Sequence, residues 1–440
     1  MKSKLLALVL AVITVLYVCD FSHAGSRNSK FVNLENLVLE SENDPSNMRL
    51  KVYAKFDSDY KYEGDIEFSY KLLSNNMNDS EDEVFNFTFS KTSSRSVNFF
   101  SLNTKVPAVY TVTGTFSVNG IESPELSQNF SIRKDEIKTK KTSLSNFDGF
   151  WKNLLADVDA VELNEKVILN KQKSTAGLKI YDIEYDSIDG ARIYGYLFYP
   201  VAAKKNKKIP GMLLVHGYKM IIPQPMIDYC SNLEIAVLQI ELRGNGRSAE
   251  RFRVDAEYIL SGINSPESYV YRGAVADCLC GLRFLENVKV VDSDKLIVNG
   301  GSQGGGLSLI VSALMSGKVK AAIADEPFMC NFKLGINSAE SGPYKILRDY
   351  LNDNKEMTQT VYNTLSFFDV LNFAEKIKCP VYISIGAKDT ICPPGTIYSV
   401  VNLIKSEREI KDYPNAAHNV MQPEYIKDKY NWLRRVCNEK

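Results

Sequence analysis

The sequence predicts a chain in two folded parts. Residues 30–135 read as a small all-β sandwich, 136–145 as a linker, and 146–440 as an α/β domain whose mostly parallel sheet has helices on both faces. Three observations carry this. At 440 residues the chain is too long for one ordinary core. Its patterning changes near residue 146, from short alternating runs to apolar strands separated by helical stretches. And Lys295–Gly306, KLIVNGGSQGGG, reads as a buried strand that turns through glycines straight into an apolar helix, Leu307–Leu314.

The first 24 residues are set aside from the fold, because they have the three parts of a secretory signal. Lys2 and Lys4 give the positive start, Leu5–Val18 the apolar stretch, and Ser22-His23-Ala24 the small-x-small cleavage site. The expectation is export to a periplasmic or extracellular space, with a mature chain beginning near Gly25. The alternative keeps Cys19 as a lipidated N-terminus, but Val18 precedes it where a small residue is expected. No later stretch is long enough to span a bilayer. Composition is ordinary for a globular protein, with 45% hydrophobic and 24% charged residues. The 53 basic and 53 acidic residues cancel, which argues against a nucleic-acid partner. Beyond the signal stand Cys230, Cys278, Cys280, Cys330, Cys379, Cys392 and Cys437. The number is odd and no C-x-x-C pair occurs, so buried thiols are expected rather than a disulfide framework.

In the first part, alternating runs recur at Leu50–Phe56, Asp65–Leu72, Glu83–Ser90, Arg95–Phe100, Ala108–Val118 and Asn129–Ile132. Turn signals such as Asn75-Asn76, Asn78-Asp79 and Asn119-Gly120 separate them. Short strands at this spacing predict an immunoglobulin-like sandwich, with a spacer or subunit-contact role ahead of sugar binding. Asn146-Phe147-Asp148-Gly149-Phe150-Trp151 then opens a helix with Phe150, Leu154, Leu155 and Val158 as its apolar residues. Strands follow at Lys179–Tyr185, Ala191–Tyr199, Gly211–Val215, Ile235–Glu241, Leu296–Asn299, Ala321–Ala324 and Val381–Ile385, with helical stretches between most of them, as at Gly273–Leu285. An antiparallel pair is expected at Lys179–Tyr199, and the later strands should run parallel.

The candidate chemistry centres on Ser302. Gly300, Ser302 and Gly304 fit the G-x-S-x-G elbow of the α/β-hydrolase fold, where a strained turn exposes a serine hydroxyl at the start of a helix. A serine hydroxyl needs a base. Only His216 and His418 remain beyond the signal, and neither lies in an H-E-x-x-H context, so no metal or other cofactor is expected. The chain order serine, acid, histidine selects His418. The acid should follow a strand between the two. Asp389, after Val381–Ile385, is the choice, with Asp325 as the rival and Asp412 read as a solvated charge. His216-Gly217-Tyr218 follows the third sheet strand, so the backbone N–H groups of Tyr218 and Gln303 are expected to hold the oxyanion. Arg243 is a candidate for a substrate anion, with a structural tie between loops as the stronger reading. Phe328, in Asp325-Glu326-Pro327-Phe328-Met329-Cys330, is a candidate for shortening the acyl pocket, with core packing as the alternative.

Together these residues resemble the acetyl xylan esterase and cephalosporin C deacetylase family of carbohydrate esterases, from about Phe147 to the C-terminus. The carrying motifs are Phe147-Asp148-Gly149-Phe150-Trp151, His216-Gly217-Tyr218, Arg243-Gly244-Asn245-Gly246, Tyr271-Arg272-Gly273, Gly301-Ser302-Gln303-Gly304-Gly305, Asp389 with Cys392-Pro393-Pro394, and Tyr413-Pro414 before His418. The resemblance implies an α/β-hydrolase that removes acetyl groups from sugars without a metal. By it Ser302, Asp389 and His418 are the triad, and Tyr218 and Gln303 the oxyanion donors. Glu241 and Asn245 depart from the family's Asp-x-Arg-Gly-Gln-Gly pattern. Family members often form closed hexamers of single-domain chains, so a homo-oligomer is an open expectation here. An acetylated oligo- or polysaccharide is the expected substrate. The alternatives are a peptidase or general carboxylesterase on the same fold, and a non-catalytic glycan-binding protein.

Overall fold

The computed structural model describes residues 37–438, except 45–48, 57–64, 75–82, 91–95, 104–106, 119–120, 123–125, 138, 143, 202–207, 219–232, 255–256 and 421–422. The signal segment, Cys19, Cys230 and the three turn signals named above lie outside the described residues. Among the described residues no helix is long and apolar enough to cross a membrane.

The N-terminal strands are β1 (Leu37–Asp44), β2 (Arg49–Phe56), β3 (Asp65–Ser74), β4 (Glu83–Ser90), β5 (Ser96–Asn103), β6 (Ala108–Val118), β7 (Ile121–Glu122) and β8 (Leu126–Ile132). They form two antiparallel sheets, one ordered β1-β2-β5 and the other β4-β3-β6, with β7 and β8 both pairing with β6. Helix α1 (Phe147–Asp159) follows and buries Phe150, Trp151, Leu154 and Val158, a face set by three- and four-residue spacing. Phe150 and Trp151 pack edge-on against Phe368, and Trp151 also against Phe373.

Nine strands make the third sheet: β9 (Lys166–Leu169), β10 (Leu178–Asp186), β11 (Arg192–Pro200), β12 (Ile209–Val215), β13 (Ala236–Glu241), β14 (Val291–Gly301), β15 (Val319–Asp325), β16 (Val381–Gly386) and β17 (Arg408–Tyr413). Their order is β17-β16-β15-β14-β12-β13-β11-β10-β9. From β13 through β17 the pairings are parallel, while β11, β10 and β9 are antiparallel additions. The expected antiparallel pair is thus β10 with β11. Strands β9 and β17 were not expected. Both are edge strands, one exposed at every residue and the other mostly polar.

Among the described residues the sheet is accompanied by helices α2 (Val270–Asn287), α3 (Gln303–Leu314), α4 (Phe332–Ser338), α5 (Gly342–Asp353), α6 (Thr358–Phe368), α7 (Pro394–Val401) and α8 (Pro423–Asn438). The central strands β12, β15 and β16 are buried on both sides, so they are near-continuous apolar runs rather than alternating ones. Strand β12 divides its residues accordingly. Leu213 and Val215 join the core shared with α2 and α3, while Met212 and Leu214 join the core capped by Trp432, Leu433 and Val436 of α8. The chain leaves β12 for β13 on one side and returns to β14 on the other. Open parallel sheets form a crevice at the carboxyl ends of the strands where the order reverses in this way. Residues 216–218, Ser302, Asp389 and His418 all lie just beyond carboxyl ends, those of β12, β14, β16 and β17.

Candidate active site

Strand β14 ends at Gly301 and α3 begins at Gln303, so Ser302 alone makes the connection. Its φ of 55° and ψ of −116° are strained for a residue with a side chain. The surroundings hold it there. The Ser302 N–H donates to Asp325 O at 2.7 Å, and Ser302 O accepts from Phe328 N–H at 2.9 Å and Gly306 N–H at 3.1 Å. Two glycines allow the turn to close. A Cβ on Gly300 would lie 2.5 Å from the Gly304 carbonyl carbon, and one on Gly304 would lie 2.2 Å from Val215 O. The second contact also sets the end of β12, and the His216 loop after it, against the elbow.

Asp389 is fully buried in the loop after β16. One carboxylate oxygen, Oδ1, accepts from Ile391 N–H at 2.8 Å and Cys392 N–H at 2.9 Å. The other, Oδ2, lies 2.7 Å from His418 Nδ1. The histidine loop reaches this point because Gly386 has no side chain: a Cβ there would lie 2.3 Å from Ala417 O. Lys388 N–H also donates to Ala416 O at 2.9 Å, and Asn129 Nδ2 of β8 donates to Ala387 O at 3.1 Å. Burial pulls the His418 imidazole down. The hydrogen bond and charge of Asp389 more than offset this and hold it above the ordinary histidine value. The Cys392 thiol lies among these groups. Burial first, then the Asp389 charge, push it well up, while a hydrogen bond with the Ser302 side chain acts the other way. One donor atom each of Asp389, Cys392 and His418 fall within 4.8 Å of one another. Both Asp389 oxygens are already bonded and the thiol is held protonated, which suits a hydrogen-bonded pair beside the serine rather than a metal centre.

The rival acid faces elsewhere. Asp325 Oδ2 accepts from Lys429 Nζ at 2.5 Å and Tyr425 OH at 2.7 Å, both on α8. Asp412 is exposed, as expected for a solvated charge, and it pairs with Lys134 and accepts from Tyr398 OH. His216 is buried with Nδ1 at 2.7 Å from Gly217 O, while Nε2 accepts Leu242 N–H at 3.2 Å. The proton is therefore on Nδ1, burial pulls the imidazole down, and the side chain ties β12 to β13. Tyr218 is half-buried, its hydroxyl donating to Glu257 and accepting from Ile259 N–H. Gln303 is buried with Oε1 accepting from Tyr271 OH at 2.7 Å. Its N–H belongs to the first turn of α3, where helix donors lack intrahelical partners.

Two of the expected substrate contacts are corrected. Arg243 is 1% exposed, and its Nε and Nη2 grip Asp277 of α2, with Nη2 also reaching Ser187 and Ile188 O. It ties loops together, and no face of it remains for a substrate anion. Phe328 is fully buried, packed edge-on against Phe332 and Tyr344 with ring centroids at 5.6 and 4.5 Å. Its ring belongs to the core because the strained turn at Glu326 and Met329, with φ of 38° and 63°, folds the segment inward. Of the departures, Glu241 accepts from Arg247 N–H at 2.6 Å and from its guanidinium, and Asn245 Nδ2 donates to Arg243 O. Sequence reasoning gave no role to Glu326, Tyr271 or Lys429. Glu326 carried a signal as an acid directly after a strand in the segment already singled out, and Tyr271 as part of the motif Tyr271-Arg272-Gly273, while Lys429 carried none.

The description "Acetyl xylan esterase (AXE1)" belongs to the family model that matches residues 128–436. The acetyl esterase Axe7A of Xylanibacter ruminicola is 29% identical over 308 residues, covering 67% of this chain and 67% of its own length. The solved acetyl xylan esterase from Paenibacillus sp. R4 superposes with a TM-score of 0.64 at 27% identity, over 69% of this chain and 98% of that one. Acetyl xylan esterase 1 from Thermoanaerobacterium sp. JW/SL YS485 superposes with a TM-score of 0.62 at 24% identity over the same shares, a likeness of fold. The second domain accordingly has the α/β-hydrolase fold, and over most of its length the chain belongs to the acetyl xylan esterase (AXE1) family.

Proposed function

We propose that this chain is an exported serine esterase that removes acetyl groups from carbohydrate through an acyl-enzyme on Ser302. Family membership supports a carbohydrate acetyl esterase. The observation that carries the finer reading is the 2.7 Å contact between Asp389 and His418, set at the strand ends beside a serine in strained geometry. In this reading Ser302 Oγ attacks the acetyl carbonyl while His418 Nε2 takes its proton. Asp389 fixes the Nδ1–H tautomer and stabilises the imidazolium. The developing oxyanion is held by the Tyr218 and Gln303 N–H groups. His418 then protonates the departing sugar hydroxyl. A water, deprotonated in turn by His418, releases acetate and restores Ser302.

Two further parts of the proposal rest on sequence. Residues 1–24 direct export, and the N-terminal strands form an immunoglobulin-like sandwich that serves as a spacer or as a contact in a homo-oligomer. The test of the activity is acetate release from acetylated xylan, glucomannan and pectin oligosaccharides, with p-nitrophenyl acetate as a general ester and Ser302→Ala as control. Release from at least one oligosaccharide, lost in Ser302→Ala, is expected. Turnover that survives Ser302→Ala would reject the mechanism, and inert oligosaccharides with an active p-nitrophenyl ester would reject the substrate.

A further inference from the structure

A second acid sits behind the histidine. Glu326 directly follows β15 and is 4% exposed. Its Oε1 lies 3.1 Å from Ser384 Oγ and 3.3 Å from Val420 N, two residues beyond His418. Its backbone N–H donates to Ser384 O at 3.1 Å, and its φ of 38° is one an ordinary side chain adopts only under constraint. The groups facing it come from every neighbouring element: Asp325 on β15, Ser384 on β16, Asp389 and Cys392 in the loop after β16, His418 after β17 and Tyr425 on α8. Lys429, the cation here, is engaged with Asp325. Among the described residues Glu326 has no ion-pair partner.

The hydrogen-bond geometry favours a proton on Glu326. Ser384 Oγ lies 2.9 Å from Asp325 Oδ1 as well as 3.1 Å from Glu326 Oε1. One hydroxyl hydrogen shared between two acceptors makes two weak bonds, whereas a proton on one carboxyl lets both contacts be full hydrogen bonds. Asp325 already receives Lys429 and Tyr425 and is the stable anion of the two. The chain of donors is then Glu326 O–H to Ser384 Oγ, and Ser384 O–H to Asp325. Independently, burial and then the neighbouring Asp325 charge push the Glu326 carboxyl well above the usual carboxylate range.

We propose that Glu326 is a positioning residue for His418: a neutral carboxylic acid that anchors the histidine loop through Val420 N–H, joins it to β16 through Ser384, and leaves Asp389 as the one carboxylate charge bearing on the imidazole. This rests on the serine-esterase reading above. A neutral acid keeps the loop bonded without a second negative charge beside the base, which would raise its pKa and shift the working pH upward.

The test is the pH profile of kcat and KM for p-nitrophenyl acetate on wild type, Glu326→Gln, Glu326→Ala and Ser384→Ala. Glutamine keeps a neutral polar end and one of the two bonds made at Oε1, so Glu326→Gln should hold the acid limb of kcat/KM in place and lower kcat less than Glu326→Ala does. Glu326→Ala should lower kcat by about 10- to 100-fold with little change in KM, because the base is displaced rather than the substrate site. Ser384→Ala should shift kcat the same way and serves where Glu326→Ala does not fold. A limb in Glu326→Gln lowered by about one unit or more would show a charged Glu326 and overturn the proposal. So would wild-type kcat in both Glu326→Ala and Ser384→Ala. Activity surviving in Ser302→Ala would instead sink the serine reading. The neutral acid is then judged by its carboxylic C=O infrared band at neutral pH, whose loss in Glu326→Gln supports it and whose absence from wild type refutes it.

Discussion

Substituting asparagine and, separately, alanine for Asp389 should divide its catalytic from its structural work. The aspartate makes three hydrogen bonds from a fully buried site, two from backbone N–H groups to Oδ1 and one to His418 through Oδ2. Asp389→Asn would keep an acceptor for the Ile391 and Cys392 N–H groups but present an NH2 group to Nδ1. The imidazole then prefers the tautomer with its proton on Nε2, toward Ser302, and cannot act as base. A fall in kcat of ~10⁴ is expected, equivalent to about 5.4 kcal/mol of barrier. The fold should lose little, ~1 kcal/mol for the weaker, uncharged acceptor. Asp389→Ala leaves two N–H groups without a partner, at ~1–3 kcal/mol each, so about 2–6 kcal/mol of stability should be lost together with activity. The assay pairs kcat on p-nitrophenyl acetate with denaturant unfolding. An Asp389→Asn variant within tenfold of wild type, or an Asp325→Asn variant with the larger loss in kcat, would refute the assignment. Equal destabilisation by asparagine and alanine would refute the division of labour between the two oxygens.

Three other expectations follow from the same geometry. His418 must be neutral to act as base, and its pKa is raised, so activity should be lost as pH falls through a midpoint above the ordinary histidine value of about 6.5, read from kcat/KM between pH 5 and 9; a midpoint near pH 4 to 5 would contradict a histidine base. Arg243→Ala should strand Asp277, itself 0% exposed, and cost ~3–5 kcal/mol in denaturant unfolding, while KM for p-nitrophenyl acetate stays unchanged. Phe328→Ala should cost ~3–5 kcal/mol and leave the preference among acetate, butyrate and octanoate esters as in wild type, and a broadened preference would return Phe328 to the acyl slot.

Much of the α/β domain was legible because its central strands are buried on both faces and read as apolar runs. The strands that escaped are at the margin. Strand β17, REIKDY, and β9, KVIL, sit at opposite edges of the sheet, β9 exposed throughout and β17 half-buried over most of its length. An edge strand has one hydrogen-bonded neighbour; β17 is mostly polar, and β9, though three of its four residues are apolar, is too short for its pattern to mark it. Strand β1, LVLESEND, was missed for a related reason, since its acidic second half breaks the alternation. At the site, Ser302 was legible from its glycines, and Asp389 and His418 from their order. Arg243 and Phe328 were harder because the deciding neighbours are remote in sequence. Asp277 lies 34 residues from Arg243, and Tyr344 reaches Phe328 from a later helix. A sequence shows a charge or a ring, but not whether something distant already holds it.

The two aspartates that followed strands show how such a choice is made physically. Asp325 ends β15 and Asp389 lies in the loop just beyond β16, both at the carboxyl edge of the sheet, and either could have met a histidine. Helix α8 decides between them. Lys429, 1% exposed, and Tyr425 reach down from it to Asp325 and occupy its Oδ2. A buried ion pair of this kind returns little net stability, because desolvating both charges offsets most of their attraction. Its effect is on the site instead. With Asp325 neutralised by Lys429 and Glu326 carrying its proton, the charge left to act on His418 is that of Asp389, which has two backbone donors on one oxygen and the imidazole on the other. Removing Lys429 would free an anion one residue from Glu326 and raise the cost of any further negative charge there. The C-terminal helix, with no residue of its own in the proposed chemistry, thereby helps set which carboxylate the base uses.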